Sequence, residues 1–208
     1  MKFSLATALA LSIVVAVTVP AEAARKKPKR TVADEITTAA IDIATSAIEK
    51  RISRVPADGQ IEIAFAPIPQ RSAERLVIKV IDAAQTSAFM AAYQMTSKPI
   101  ADAMCRAAER GVAVSAVLDA KSNKHGDGNS KYDYMLACGV DVRTDARYPI
   151  MHDKFIVVDG KHVETGSFNY TFSAAERNAE NALVVWNNVN LANRYSTEFD
   201  RLFNEASD

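Results

Sequence analysis

The segment that defines this chain is residues 151–169, which read MHDKFIVVDGKHVETGSFN. Two runs rich in β-branched and aromatic residues flank the dipeptide Asp159–Gly160. Because Asp-Gly favours the tight turn that joins two antiparallel strands, the segment predicts a β-hairpin with strands at 153–158 and 161–168.

Four polar residues of this segment are expected to share one face of the hairpin. Side chains two residues apart in a strand project to the same side, so His152 and Lys154 point together. A two-residue turn places Ser167 opposite His152, and Asn169 then falls on the same face. Asp159 lies at the turn, far from the other four, and we therefore interpret it as structural.

The shared face suits phosphoryl transfer, which depends mostly on positioning and on neutralising the charge of the phosphate oxygens. Lys154 and Asn169 would hold those oxygens. His152 would act as a nucleophile or a general base, because histidine is the side chain whose unperturbed pKa is nearest neutrality. Farther along the chain, Glu180 would accept a hydrogen bond from the imidazole and fix its tautomer.

The spacing of these residues also resembles the HKD signature of the phospholipase D superfamily. The resemblance rests on two adjacent patterns, HxKxxxxD at 152–159 and GSxN at 166–169. Residues 61–203 look more narrowly like the small, single-motif, secreted bacterial endonucleases of that superfamily. Outside 152–181 the likeness is one of strand and helix order alone.

The resemblance implies a fold, a mechanism and a set of site residues. The fold is phospholipase D-like, and no metal or other cofactor takes part. His152 is the nucleophile and forms a phosphohistidine intermediate. The remaining site residues are Lys154, Ser167 and Asn169, which bind phosphate, Glu180, which orients His152, and Asp159, which completes the first pattern.

One copy of HxKxxxxD is present, whereas the resembled mechanism uses two histidines, one to attack phosphorus and one to protonate the leaving oxygen. His125 stands in a glycine-rich loop and His162 lies inside the hairpin on the other parity, so neither is in a similar setting. A two-fold homodimer would bring His152 of both protomers to one shared site.

Strand-like and helix-like segments alternate from residue 57 onward, which predicts a mixed α/β fold. We expect a mostly parallel sheet with right-handed crossovers and with helices on both faces. Apart from the hairpin, strands are predicted at 61–66, 88–94, 112–119, 140–143 and 182–186, and helices at 71–84, 99–110, 131–138 and 191–206.

The amino terminus predicts a cleaved signal peptide, because an apolar run from Leu5 to Val19 is followed by a short stretch of small residues. The cations of residues 25–30 follow the run directly and favour the alternative, an uncleaved anchor. We expect a periplasmic or secreted protein, with membrane contact only if the signal segment stays attached.

The sequence predicts three successive segments. Residues 1–23 are the signal peptide. Residues 24–56 are a basic leader that includes an amphipathic helix at 32–52, where apolar residues recur at helical spacing. Residues 57–208 are the catalytic domain.

Acidic and basic residues balance at 25 each, so the global charge predicts no polyanionic partner. Any nucleic-acid affinity must come from a local patch or from the basic leader, because phosphate contacts dominate such binding. The cations near the motif either line a groove for the nucleic-acid backbone or are scattered surface charges. These cations are Lys121, Lys124, Lys131, Arg143, Arg147 and Arg177.

The sequence contains two cysteines, Cys105 and Cys138. In an oxidising compartment they could form a disulfide bond, whereas free cysteines are commonly small buried thiols. We favour two buried thiols. Their spacing indicates no metal site.

We expect a metal-independent endonuclease that cleaves DNA or RNA without sequence specificity. The chain is compact, with short loops and no evident lipid-binding insertion. One alternative is a phospholipase D that acts on phospholipid headgroups, for which the amphipathic helix and an uncleaved anchor would be supporting features. Another is a protein that binds nucleic acid without turnover, against which the intact site residues argue.

Overall fold

The computed structural model describes residues 59–67 and 72–207, together with Thr37. The predicted signal peptide and, apart from Thr37, the predicted basic leader and amphipathic helix lie outside the described residues. Within the described part of the chain, no helix is both long and apolar enough to cross a bilayer.

Seven strands of the described residues form one sheet, in the order β1-β7-β6-β5-β2-β3-β4. The strands are β1 (Ile61–Ala66), β2 (Ser87–Ala92), β3 (Ala113–Asp119), β4 (Asp141–Asp145), β5 (Lys154–Val158), β6 (His162–Gly166) and β7 (Glu180–Val185). Two neighbouring pairs, β2 with β3 and β3 with β4, are parallel. The other four pairs are antiparallel.

The predicted mixed α/β fold is confirmed, but the expectation of a mostly parallel sheet is wrong. Helical crossovers join β2, β3 and β4, and such crossovers produce parallel neighbours. Strands β5, β6 and β7 follow each other along the chain and pair antiparallel. Strand β1 adds to β7 from the opposite end of the domain sequence, also antiparallel.

Helices cover both faces of the sheet, as predicted. The helices are α1 (Ser72–Asp82), α2 (Lys98–Glu109), α3 (Tyr132–Ala137), α4 (Phe172–Glu176) and α5 (Val189–Glu205). The first four contribute to the larger hydrophobic core on one face. Helix α5 packs Phe199 and Leu202 against Val157 and Val163 on the other face. Helix α4 was not predicted, because five residues are too few to show a helical period.

The hairpin of β5 and β6 turns at Asp159 and Gly160, as predicted, and both have positive φ (52° and 60°). The Lys161 N–H donates to the Val158 carbonyl at 3.1 Å. However, Val158 pairs with His162, so Lys161 is an extra residue in the second strand.

This extra residue shifts the register by one position from the prediction. Ser167 therefore does not lie opposite His152. If the observed pairing is extended beyond the last paired residues, Ser167 lies opposite Asp153.

Cys105 in α2 and Cys138 at the end of α3 form a disulfide bond, with their Cα atoms 5.5 Å apart. The expectation of two free thiols is therefore wrong. The sequence predicted both helices and allowed them to share a face of the sheet, but it did not show that the two thiols would come within bonding distance.

Candidate active site

Four of the predicted site residues, His152, Lys154, Ser167 and Glu180, lie at the same end of neighbouring strands. Lys154 begins β5, Gly166 ends β6 and Glu180 begins β7. Because these strands run antiparallel, these three ends lie at the same edge. A cavity of about 350 Å³ opens there. Its lining residues are His152, Asp153, Lys154, Phe155, Thr165, Gly166, Ser167 and Tyr195.

Lys154 is largely buried beside His152. Its Nζ donates to the His152 carbonyl at 2.6 Å and lies 5.4 Å from the centre of the Tyr93 ring. Burial lowers the pKa of Lys154, while Asp153 and Glu180 oppose that change. A partly desolvated ammonium group binds a phosphate oxygen more strongly than an exposed one does.

Tyr93 is a site residue that the sequence analysis missed. Its ring lies 4.9 Å from the exposed imidazole of His152, centre to centre. Its backbone N–H donates to the Asp153 carbonyl at 3.1 Å. Tyr93 reaches the site because β2 pairs with β5, and nothing in the sequence around Tyr93 indicates that pairing.

Glu180 holds Ser167 in place. The Ser167 hydroxyl donates to Glu180 Oε2 at 2.6 Å, and the Asn178 side chain donates to Oε1 at 2.9 Å. The Asn181 N–H in turn donates to Ser167 Oγ at 3.1 Å. No hydrogen bond among the described residues joins Glu180 to His152, so the orienting role of Glu180 stays a prediction.

Gly166, the glycine of the GSxN pattern, lies where a side chain would collide with the neighbouring strand. A Cβ atom on Gly166 would lie 2.2 Å from the Asn181 carbonyl oxygen of β7. That oxygen accepts hydrogen bonds from the N–H groups of Ser167 (3.1 Å) and Phe168 (3.3 Å). Only a residue without a side chain allows the two backbones to approach this closely, and the approach fixes Ser167.

Asn169 follows Ser167 but does not line the cavity. Its amide oxygen is buried and has no hydrogen-bond partner among the described residues. Rotation of this amide by 180° would exchange the oxygen for the NH₂ group, which is a hydrogen-bond donor. A buried polar atom without a partner is uncommon, and a bound anion is one group that would complete its hydrogen bonding.

Next to Asn169, the Tyr170 hydroxyl donates to the buried carboxyl of Glu164 at 2.7 Å. The Tyr170 carbonyl accepts from Thr96 and Ser97, both at 2.9 Å. Burial raises the pKa of Glu164 to about 8. This pair was also missed, because a glutamate within an apolar strand gives no sign of its partner.

Asp159 lies at the other end of β5, about 16 Å from Lys154 along the strand. Its carboxylate accepts from the N–H groups of residues 85–87 at 2.8–3.2 Å and from the Thr86 hydroxyl at 2.9 Å. Burial alone would raise the pKa of Asp159, but the Thr86, Ser87 and Gln85 N–H groups outweigh it, so its pKa lies below the ordinary value. These contacts support the structural interpretation.

The other two histidines are outside the cavity. His125 is exposed and contacts Asp133. His162 is buried at the turn end of the hairpin, where its Nδ1 accepts from the Asn187 N–H at 3.0 Å. His152 is therefore the one histidine of this chain that lines the site.

Two of the candidate cations, Arg143 and Arg147, contact helix α5. The Arg143 guanidinium lies 4.0 Å from the Phe203 ring and donates to the Phe203 carbonyl. Arg147 lies 3.7 Å from Glu205 of α5. Lys121 Nζ donates to the carbonyl of Pro149 at 3.0 Å, and neither residue lines the cavity. Arg143 and Arg147 are therefore better described as scattered surface charges than as the lining of a nucleic-acid groove.

Comparison with known proteins agrees with this geometry. Residues 77–203 match the family model described as "Cardiolipin synthase, PLD-like domain". The chain belongs to the phospholipase D superfamily. Within the superfamily, Nuc from Salmonella typhimurium has a similar structure, with a TM-score of 0.67 and 38% sequence identity. The match covers 72% of this chain and 97% of Nuc, so nearly all of Nuc corresponds to one part of this chain.

Two curated relatives have lipid-related names. A protein of Rickettsia prowazekii named phospholipase D is 38% identical over 117 residues, which is 56% of this chain and 56% of that protein. A Xenopus tropicalis protein named mitochondrial cardiolipin hydrolase is 33% identical over 140 residues, 67% of this chain and 65% of that protein. The chain thus aligns with little more than half of the Rickettsia protein.

Proposed function

We propose that this chain is a metal-independent phosphodiesterase that acts as a non-specific endonuclease on DNA. The observation that carries the proposal is the cavity in which His152, Lys154 and Ser167 meet. An imidazole beside an ammonium group and a hydroxyl supplies a nucleophile and hydrogen-bond donors for a phosphodiester. The likeness to Nuc over nearly all of its length favours a nuclease.

In the proposed reaction, an imidazole nitrogen of His152 attacks phosphorus. The bond to the leaving oxygen breaks, and that oxygen takes a proton from His152 of the partner subunit. Lys154 donates a hydrogen bond to a phosphate oxygen as charge develops on it, and the Ser167 hydroxyl donates another after it turns from Glu180 to the substrate. Water then attacks the phosphohistidine, loses a proton to the partner's His152, and the phosphorus–nitrogen bond breaks.

An apolar face beside the site supports the homodimer. Ile61, Ile63 and Phe65 alternate along the edge strand β1, and each is about 60% exposed. Helix α5 packs on β2 to β6 on this side of the sheet but leaves these three side chains uncovered. Phe65 pairs with Asn181, whose backbone also binds Ser167. A second copy on this face would therefore lie next to the cavity.

The test of the proposed function is cleavage of plasmid DNA by the purified protein in excess chelator. We expect nicking by the wild type and none by His152→Ala. A matched control is His125→Ala, which removes an exposed histidine away from the cavity. Nicking that persists in His152→Ala would contradict the proposal.

The shared site is tested by mixing differently tagged wild-type and His152→Ala protomers and isolating the heterodimer. Each heterodimer has one histidine where two are needed, so we expect its activity to fall far below half of the wild-type value. A heterodimer with full activity would exclude the shared site.

A second candidate, phospholipase D activity on phospholipid headgroups, is favoured by the names of the Rickettsia and Xenopus relatives. Labelled phospholipid vesicles, assayed beside plasmid DNA, separate the two. Lipid turnover without DNA nicking would replace the endonuclease proposal. Binding of DNA without turnover of either substrate would favour a non-catalytic binding protein.

We further propose that the protein is exported to the periplasm or secreted. The sequence of residues 1–23 and the disulfide between Cys105 and Cys138 support this location, since disulfides persist in oxidising compartments. Fractionation of cells followed by amino-terminal sequencing should give a mature protein that begins at Ala24. A full-length protein in the membrane fraction would favour the uncleaved anchor.

A further inference from the structure

A second cavity adjoins the candidate active site. It has a volume of about 520 Å³ and is lined by Asp153, Phe155, Leu191, Arg194, Tyr195 and Glu198. Three of these residues, Asp153, Phe155 and Tyr195, also line the cavity that contains His152. The two cavities are therefore neighbours, and a molecule whose phosphate lies at His152 can extend into the second one.

The second cavity has an aromatic wall. Tyr195 in α5 is half-buried, and its ring packs edge-on against Phe155 with 5.0 Å between the ring centres. This contact holds the Tyr195 ring in one orientation. A fixed aromatic ring beside a phosphate-binding site is a stacking surface for a flat ring of the substrate.

Asp153 supplies an unoccupied hydrogen-bond acceptor. Its carboxylate accepts no hydrogen bond from the residues that the structure describes. Glu198, by contrast, is already engaged, since both of its oxygens accept hydrogen bonds from Arg201. Partial burial and the nearby Glu198 raise the pKa of Asp153, and a ligand that donates a hydrogen bond to this carboxylate would favour its ionised form.

Charges of both signs line the cavity. The Arg194 guanidinium is exposed and makes no ion pair or hydrogen bond with the described residues. It disfavours a cationic group, such as a choline headgroup, whereas Asp153 and Glu198 disfavour a second phosphate deep in the cavity. A neutral aromatic ring with hydrogen-bond donors and acceptors is repelled neither by the guanidinium nor by the carboxylates.

We propose that this second cavity is a nucleobase subsite, in which Tyr195 stacks on the base next to the scissile phosphate and Asp153 accepts a hydrogen bond from it. The inference rests on the proposed endonuclease function. A carboxylate accepts from the exocyclic amino groups of cytosine, adenine and guanine, whereas thymine has only its N3–H to donate, so the three amino-bearing bases are favoured. The preference is modest because one stacked base and one hydrogen bond provide it.

The experiment uses the enzyme as it is isolated from cells and short single-stranded oligonucleotides in which one residue is replaced by an abasic analogue. Mass spectrometry gives the cleavage rate at each bond. The wild type should cleave the bond next to a base about tenfold faster than the same bond next to the abasic residue. The measured quantity is the ratio of these two rates, which a general loss of activity leaves unchanged.

Two substitutions should change this ratio. Tyr195→Ala removes the stacking surface and should bring the ratio towards one, whereas Tyr195→Phe keeps the ring and should retain it. Asp153→Ala removes the acceptor and should abolish the preference for cytosine over thymine at the same position. A fall in all rates with an unchanged ratio would overturn the subsite.

Other outcomes separate the subsite from the proposed function. Equal cleavage beside a base and beside the abasic residue by the wild type, lost in His152→Ala, would overturn the subsite and leave the endonuclease intact. Hydrolysis of phosphatidylcholine vesicles that depends on Asp153, without cleavage of any oligonucleotide, would overturn both and assign the cavity to a lipid headgroup.

Discussion

Asp159 belongs to the pattern that contains His152 and Lys154, but its carboxylate binds a different part of the chain. It accepts hydrogen bonds from three consecutive N–H groups that lead into β2. Strand β2 pairs with β5, the strand that carries Lys154 at its start. Asp159 therefore stabilises the neighbouring strand that supports the site, without touching the reacting groups.

We predict that Asp159→Asn lowers the free energy of unfolding by about 1–3 kcal/mol at pH 7, because hydrogen bonds to an ionised acceptor are lost. The folded pKa of Asp159 is depressed, so this stabilisation is present above the unfolded pKa of about 4 and is lost as the pH falls through the folded pKa. Urea unfolding at pH 7 and pH 3 measures both effects.

The matched control for this substitution is Asp141→Asn, which changes an exposed aspartate at the start of β4. The specific activity of folded Asp159→Asn protein should stay near the wild-type value. Normal stability combined with a loss of activity of about a hundredfold or more would instead assign Asp159 to the chemistry.

Glu164 gives a second prediction at the level of one residue. Burial raises its pKa to about 8, so the folded protein holds a proton that the unfolded chain releases near pH 4. This contribution to stability is complete below the unfolded pKa and is lost as the pH rises through about 8. Glu164→Gln cannot titrate and should remove this part of the pH dependence.

Thermal unfolding of wild type and Glu164→Gln between pH 5 and pH 9 tests this. The wild type should lose at least about 1 kcal/mol relative to the variant over that range. Glu109→Gln, at an exposed position in α2, serves as the control. Parallel curves for wild type and Glu164→Gln would show that Glu164 does not titrate with a raised pKa.

At the level of elements, the sequence predicted the hairpin but not its register. Asp159 and Gly160 gave the turn correctly, because few other dipeptides adopt positive φ at both positions. The extra residue, Lys161, offers its carbonyl to the Asn188 N–H at 2.7 Å instead of to the hairpin. That contact comes from a later part of the chain, so the local sequence could not reveal it.

His152, Lys154 and Ser167 nevertheless line one cavity, although their predicted register is wrong. They come together because the start of β5 and the end of β6 lie at the same end of the hairpin, and a register shift of one residue does not change this. Tyr93 directly follows β2, and Tyr195 lies in α5. Finding them requires the strand order, which the alternation of strands and helices does not determine.

The exposed face of β1 leads to a prediction about association. Ile63→Glu places a charge in the centre of that face and should convert the proposed dimer to a monomer at micromolar concentration, since burying an unpaired charge is costly. DNA cleavage should fall with it. Analytical ultracentrifugation and the nicking assay measure the two effects.

Ala113→Glu is the control for this substitution, because it changes an exposed residue at the start of β3, away from β1. It should leave both association and activity unchanged. A monomeric Ile63→Glu protein that cleaves DNA at the wild-type rate would contradict the shared site.

At the level of the whole molecule, the disulfide closes a loop with a sequence separation of 33 residues. A cross-link over this length restricts the unfolded chain and stabilises the folded state by about 3–4 kcal/mol in the chain-entropy model. We predict that the Cys105→Ser, Cys138→Ser double variant loses about this amount in urea unfolding. Dithiothreitol should destabilise the wild type similarly and leave the double variant unaffected.

The choice between a disulfide and two thiols could not be made from the sequence, because Cys105 and Cys138 approach each other only when α2 and α3 pack on the same face. Their identities and even number allowed both outcomes. The folded distance between the two Cα atoms decides it.

Strand β1 also has a consequence for the order of folding. Ile61 pairs with Val185, so most of the domain sequence separates β1 from its partner β7. Strand β1 can therefore pair only after the rest of the domain has brought β7 into place. Contacts over such a separation form late, and an edge strand has one neighbour to hold it. The amides of β1 should therefore exchange with deuterium faster than those of β5. If the proposed dimer covers β1, raising the protein concentration should slow their exchange, so that subunit association completes the fold of each protomer.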